Sequence, residues 1–167
     1  MIQSPQDLKH HYRFSDFLYY VCLLLVPVIT AFTAIIGLST RGAVLYAVLG
    51  LGLIPVLLRF FCSRCPHYCR DEKTLKCIFF WGFPKFFTAR PGRLTATERM
   101  ISFGATAVFL LVPVYWLFKE PGLLIVYLLS LAGFGATIHR NECSRCIYVE
   151  CPANSVPESV KISAGLP

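Results

Sequence analysis

The tetrapeptide Cys-Ser-Arg-Cys occurs twice in this chain, at Cys62–Cys65 and at Cys143–Cys146. Two thiols separated by two residues can bind one soft metal ion, as they do in zinc knuckles. Two such pairs supply the four thiolates of a tetrahedral site, so the predicted ligands are Cys62, Cys65, Cys143 and Cys146. Arg64 and Arg145 are expected to offset the negative charge of these thiolates.

Further candidate ligands follow or flank the two copies. They are Cys69, Cys77, Cys151, His67 and His139. With the four cysteines of the repeated tetrapeptide, the three additional cysteines supply more sulfur than one zinc ion requires. The sequence therefore leaves open a single shared site or two separate sites, and either zinc or an iron–sulfur cluster.

Composition predicts the environment in which these cysteines lie. The chain is 56% hydrophobic and only 15% charged. Four stretches lack any Asp, Glu, Lys or Arg, and each approaches the ~17–25 residues that a helix needs to cross a bilayer. Backbone polar groups in lipid must be satisfied internally, so these stretches are predicted to be helices. We expect an all-α integral membrane protein with helices over 17–38, 42–58, 100–118 and 121–138.

Charge predicts the orientation. Fourteen of the sixteen Lys and Arg residues lie in the N-terminal tail, the loop 59–99 and the tail 139–167. The positive-inside rule therefore places both termini and the cysteine-rich loop in the cytoplasm. The net charge of +7 suits contact with anionic lipid. The sequence contains no recognisable nucleic-acid-binding module, so lipid is the expected partner of this basic face.

The cysteine motif belongs to a wider internal similarity. Leu-Leu-Val-Pro-Val occurs at 24–28 and again at 110–114, an offset of 86 residues, while the two Cys-Ser-Arg-Cys copies are offset by 81. We predict one membrane domain, 1–167, made of two repeats over about 14–77 and 100–151. Each repeat is a helical hairpin followed by a cytoplasmic cysteine knuckle. Parallel repeats related by an axis along the membrane normal would bring the two knuckles together.

The middle loop also carries a dense aromatic segment. Aromatic side chains of this kind favour the membrane interface, and exposed apolar patches also serve as docking surfaces for partner proteins. The interface residues are predicted to be Phe79, Phe80, Trp81, Phe83, Phe86 and Phe87. At the end of the loop, Thr95 and Glu98 have the spacing of a helix-capping box.

The chain lacks a recognisable catalytic dyad or phosphate loop, which favours a role other than catalysis. The predicted function is an accessory or anchoring subunit whose cysteine-bound metal organises a surface for a cytoplasmic protein partner. One alternative is an electron-relay protein with an iron–sulfur cluster. Another is a thiol or acyl-transfer enzyme that uses Cys69, Cys77 or Cys151 as its nucleophile. The helix layout is similar to that of protein S-acyltransferases, but their Asp-His-His-Cys motif is absent from this sequence.

Overall fold

The computed structural model describes residues 8, 9, 12–69, 73–149, 151 and 153–164. Most of these residues are helical, and four helices are long and apolar enough to span a membrane. This confirms the predicted helix number. The elements are α1 (Phe14–Leu38), α2 (Thr40–Phe60), α3 (Pro66–Cys69), β1 (Thr74–Lys76), β2 (Trp81–Pro84), α4 (Ala96–Leu111), α5 (Val114–Leu117), α6 (Pro121–Ile138) and α7 (Glu158–Ser163).

A single residue connects α1 to α2. Ser39 ends α1, and its hydroxyl oxygen accepts a hydrogen bond of 3.1 Å from the Gly42 amide, which caps the start of α2. A side chain at Gly42 would meet the Trp116 ring at 3.0 Å from its Cβ. The tight turn between the first two helices therefore depends on a serine cap and on a glycine at the helix contact.

The third membrane helix differs from its prediction at both ends. Thr95 and Glu98 form the predicted capping box, so α4 begins at Ala96 rather than at residue 100. Its far end is interrupted at Pro113, and the short helix α5 completes the span. Proline has no N–H to donate to the helical ladder. The Tyr127 hydroxyl of α6 donates to the Leu110 carbonyl just before the interruption, at 2.7 Å.

The main buried core lies at the end of the bundle that holds the short turns. There, α1 packs chiefly against α6, and α2 chiefly against α4. The Tyr46 ring of α2 stacks on Phe109 of α4, with centroids 4.8 Å apart. The core consists of Ala31, Ala34, Ile35, Ala43, Tyr46, Leu117 and Tyr127. The outward surfaces of the helices are apolar and exposed, as lipid contact requires.

The loop between α2 and α4 contains a short antiparallel hairpin, in which β1 pairs with β2. The prediction of an all-α chain is therefore wrong for this loop. Alternating burial in β1 places Leu75 inward, against Leu58 of α2 and Tyr68 of α3. The hairpin thus closes the end of the bundle opposite the short turns.

The first and last described segments meet at the same end of the bundle as the hairpin. Leu8 packs with Val156 and with Val160 of α7 in a small buried cluster. Lys9 forms an isolated parallel bridge with Cys146. Both ends of the described chain consequently lie on one side of the four spans, together with the second Cys-Ser-Arg-Cys copy.

Candidate metal centre

The two Cys-Ser-Arg-Cys copies, here called the first knuckle (62–65) and the second knuckle (143–146), begin in the same local way. In the first, the Ser63 hydroxyl donates to the Arg59 carbonyl at 2.6 Å. In the second, the Ser144 hydroxyl donates to the Arg140 carbonyl at 2.5 Å. Each serine thus bonds the carbonyl four residues earlier, in a turn that continues a membrane helix.

The shared hydrogen bond shows that the repeated motif is longer than the tetrapeptide Cys-Ser-Arg-Cys. Both copies read Arg-x-x-Cys-Ser-Arg-Cys, beginning at Arg59 and Arg140. The first arginine supplies the carbonyl that the serine bonds. The signal was available in the sequence as a fifth identical position at the same offset of 81 residues.

Thiols from three parts of the chain converge around Cys65. Burial raises the pKa of Cys65 well above its usual value, and the nearby thiols of Cys146, Cys77 and Cys151 raise it further. These cysteines come from the first knuckle, the hairpin, the second knuckle and the tail. The structure therefore brings cysteines of both halves of the chain together at one end of the bundle.

Main-chain amides point at these same sulfur atoms. Burial raises the pKa of Cys77, and the N–H groups of Phe79 and Phe80 oppose that rise; the Phe80 nitrogen lies 3.3 Å from the Cys77 sulfur. Burial likewise raises the pKa of Cys146 to about 11. The Tyr148 amide opposes this rise, and its nitrogen lies 3.4 Å from the Cys146 sulfur.

The remaining two converging cysteines show the same pattern. An amide of His67 acts on Cys65, and the amides of Ala153 and Asn154 act on Cys151, in each case opposing the rise in pKa that burial causes. An N–H group aimed at sulfur stabilises the thiolate over the thiol. All four converging sulfurs thus have main-chain donors suited to the charged form.

Tyr12 lies close to the converging cysteines, and no pattern in the sequence indicates this. Its side chain is buried, and its ring lies 4.9 Å from the ring of His67. Burial raises the pKa of Tyr12, and the nearby Cys146, Glu142, Cys65 and Cys77 add to the rise. Tyr12 is therefore flanked by both knuckles and by the hairpin.

The second knuckle is tied to the N-terminal segment through Glu142, which is buried. The Lys9 ammonium and the Tyr20 hydroxyl both reach Oε1 of Glu142, at 2.7 and 2.8 Å. The Lys9 amide also donates to the Arg145 carbonyl at 2.8 Å. Among the described residues, Oε2 of Glu142 has no hydrogen-bond partner.

The two arginines of the knuckles have different surroundings. The Arg64 guanidinium donates to Oε1 of Glu98 at 3.0 Å, and Arg90 lies 3.8 Å from the same oxygen. Arg64 therefore joins the first knuckle to the start of α4, and its charge is balanced by a carboxylate. Arg145 is exposed. Compensation of thiolate charge by either arginine stays a prediction.

The loop segment 87–92 is fastened to the first knuckle and to a tyrosine that follows each knuckle. The Tyr68 hydroxyl donates to the Phe87 carbonyl at 2.7 Å, and the Tyr148 hydroxyl donates to the Gly92 carbonyl at 3.2 Å. Between these contacts, the Arg90 amide donates to the Ser63 carbonyl at 2.8 Å. This segment is a main-chain bridge across the cysteine-rich end.

Some of the other predicted site residues are buried, and others are exposed on the surface of the protein. His67 is buried against Tyr12, whereas His139 is exposed on the π turn that follows α6. Burial raises the pKa of Cys69, and Lys85 nearby lowers it. Of the aromatic residues, Phe80 and Phe87 pack beneath the first knuckle, and the more exposed ones are Phe79, Phe83 and Phe86.

The described residues contain no group of three or more His, Cys, Asp or Glu side chains arranged to hold a metal ion. The predicted four-thiolate set of Cys62, Cys65, Cys143 and Cys146 thus stays a prediction. Buried thiols favour the protonated form, and metal ligation requires the thiolate.

Comparison with protein-family models, with curated proteins and with solved structures gives no match.

Proposed function

We propose that the protein is a membrane-anchored accessory protein that binds a thiophilic metal at its cysteine-rich end. The main support is the convergence of Cys65, Cys77, Cys146 and Cys151, each with main-chain amides directed at its sulfur. Hydrogen bonds to sulfur recur in metal–thiolate centres, where they tune the metal. In this proposal the metal joins the two halves of the chain beneath the membrane helices.

The same observations favour metal binding over a thiol enzyme. A nucleophilic cysteine needs a lowered pKa and partial exposure. Here burial raises the pKa of Cys69, Cys77 and Cys151, the three nucleophiles considered. A metal ion supplies the positive charge that buried thiols need in order to lose their protons.

Zinc and an iron–sulfur cluster both accept four thiolates from such a set. The converging cysteines are contributed by separate segments, so either metal centre would cross-link the first knuckle, the hairpin, the second knuckle and the tail. An iron–sulfur cluster would make the protein an electron relay. A zinc ion would make the centre structural, with the cross-linked surface available to a protein partner.

We place this surface in the cytoplasm. Both ends of the described chain lie on the same side of the spans as the hairpin. The loop and tails on that side carry most of the basic residues. The positive-inside rule assigns such a side to the cytoplasm.

Internal duplication is also part of the proposal. Pro27 and Pro113 occupy the same position of the repeated pentapeptide, and both are fully buried. Tyr46 and Tyr127, which are 81 residues apart, are likewise both buried. The pairing of α1 with α6 and of α2 with α4 is what a twofold axis between the repeats would generate.

The test is the metal content of the purified protein and of cysteine variants. We expect stoichiometric zinc, or iron with visible absorption, in the wild type. Cys65→Ser and Cys146→Ser should each lose at least half of that metal. Cys22→Ser is the matched control, because Cys22 lies within α1. Metal-free wild type, or full retention of metal by both knuckle variants, would contradict the proposal.

A further inference from the structure

The segment 74–87, here called the aromatic hairpin, does not project away from the bundle. Its residue Ile78 belongs to a buried cluster that includes Tyr20 of α1, with Leu23 packed against it. On the other side, the ring of Phe79 lies 6.3 Å from Phe134 of α6. The turn of the hairpin therefore packs against two membrane helices, α1 and α6.

The residues that the turn contacts on α1 and α6 show how far it reaches along these helices. Leu23 lies six residues beyond Phe17, where the first charge-free stretch begins. At the rise of an α-helix this is about 9 Å. Phe134 lies four residues before the end of α6, which is about 6 Å. The turn thus reaches the height of the charge-free part of both helices.

The backbone of the hairpin is suited to a poorly hydrated position. Cys77 and Phe80 bond reciprocally across the turn: the Cys77 amide donates to the Phe80 carbonyl at 3.1 Å, and the Phe80 amide donates to the Cys77 sulfur at 3.3 Å. The Phe87 amide donates to the Tyr68 hydroxyl at 3.0 Å. Irregular backbone at membrane depth requires such internal partners.

The aromatic side chains of the hairpin point in two directions. Phe80 and Phe87 pack inward beneath the first knuckle. Phe79, Phe83 and Phe86 are 41%, 39% and 68% exposed. Trp81 lies between these groups, with its ring 5.9 Å from Phe14 and 6.5 Å from Phe17. The exposed rings therefore extend the apolar surface that begins at the N-terminal end of α1.

The charges within the aromatic hairpin have one sign, whereas Asp71 and Glu72 stand shortly before it in the sequence. Residues 73–87 contain Lys73, Lys76 and Lys85 and no acidic residue. Lysine side chains beside apolar rings can reach the phosphates of a lipid headgroup layer while the rings enter the acyl chains.

We infer that the aromatic hairpin is an interfacial anchor: Phe79, Phe83 and Phe86 insert at the boundary between acyl chains and headgroups of an anionic leaflet, and Trp81 marks headgroup level. Lipid fits this surface better than a water-borne partner protein, because the surface is continuous with the lipid-facing helices and reaches the same depth. The inference is independent of the metal proposal.

Tryptophan fluorescence tests this inference, since Trp81 and Trp116 are the only two tryptophans. In the variant Trp116→Phe, reconstituted in vesicles, Trp81 alone emits. We expect blue-shifted emission, strong quenching by lipids brominated near the carbonyl end of the acyl chain, and weak quenching by aqueous iodide. If Trp116→Phe fails to insert, the difference between wild type and Trp81→Phe supplies the same signal.

Strong iodide quenching with little bromolipid quenching would overturn the inference and would indicate a water-exposed or protein-binding hairpin. The anionic preference is tested by comparing brominated phosphatidylglycerol with brominated phosphatidylcholine at equal mole fraction. We expect about twofold stronger quenching of Trp81 by the anionic lipid, and loss of that difference in Lys76→Gln/Lys85→Gln. Equal quenching in the Trp116→Phe protein would overturn the preference for an anionic leaflet.

Discussion

The ammonium group of Lys9 lies 2.7 Å from the carboxylate of Glu142, although 133 residues separate them in the chain. Glu142 is almost fully buried, and Tyr20 donates to the same carboxylate oxygen. This ion pair joins the N-terminal segment to the second knuckle. It also holds the segment that carries Tyr12 between the converging cysteines.

The first prediction concerns this ion pair. Among the described residues, Lys9→Met leaves the buried carboxylate with the Tyr20 hydroxyl as its one side-chain partner. We therefore expect the substitution to lower stability by about 1–3 kcal/mol. Thermal unfolding in detergent, followed by circular dichroism, measures the change. Lys161→Met is the control, because its partner Glu158 is 77% exposed and such pairs contribute about 0–1 kcal/mol. Equal effects of the two substitutions would show that the Lys9 contact is not structural.

The second prediction compares the two arginines at the same place in the repeated motif. Arg64→Gln removes a contact to Glu98, whose side chain is only 10% exposed. It should lower stability by about 1–2 kcal/mol. Arg145→Gln should change stability by less than about 0.5 kcal/mol, because Arg145 is exposed. Unfolding midpoints of the two variants, measured side by side, test this difference. A larger loss of stability for Arg145→Gln than for Arg64→Gln would contradict the prediction.

The third prediction concerns the interruption in the third membrane helix. Tyr127→Phe removes the hydroxyl that bonds the Leu110 carbonyl, and the carbonyl then lacks that partner within the apolar span. We expect a loss of about 1–2 kcal/mol. Tyr115→Phe is the matched control, since Tyr115 is 67% exposed. An unchanged melting temperature in Tyr127→Phe would mean that another group satisfies this carbonyl.

The fourth prediction is a pH dependence. Burial raises the pKa of Cys146 to about 11, whereas a free thiol has a pKa of about 8.5. Only the thiolate reacts with iodoacetamide, so in the folded, metal-free protein the rate at Cys146 should keep rising roughly tenfold per pH unit beyond pH 9. In denatured protein the rate should level off near pH 9. Mass spectrometry of the modified peptide measures both rates, and a plateau near pH 9 in the folded protein would contradict the prediction.

Features that depend on local composition could be predicted from the sequence. The four membrane-length helices follow from the absence of charged residues over long stretches, and the Thr95–Glu98 capping box follows from spacing alone. Apart from the expected approach of the two knuckles, contacts between distant segments could not be predicted. Nothing adjacent in sequence indicates that Tyr12 lies near Cys65 and Cys146, or that Phe80 points inward while Phe79 is exposed.

The repeated pentapeptide Leu-Leu-Val-Pro-Val separates what the sequence determines from what the tertiary structure decides. Its apolar composition places Pro27 and Pro113 within membrane helices, because both lie in long stretches without charge. The sequence of the pentapeptide does not distinguish the two copies. The helix α1 continues through Pro27, but the third helix is interrupted at Pro113.

Different hydrogen bonds lie beside the two prolines. In α1, the Thr30 hydroxyl donates to the Val26 carbonyl within the same helix, at 2.8 Å. Beside Pro113, the hydroxyl of Tyr127 reaches across from α6 to the Leu110 carbonyl. A carbonyl inside lipid needs a donor, and only the packing of one helix against another brings that tyrosine to it.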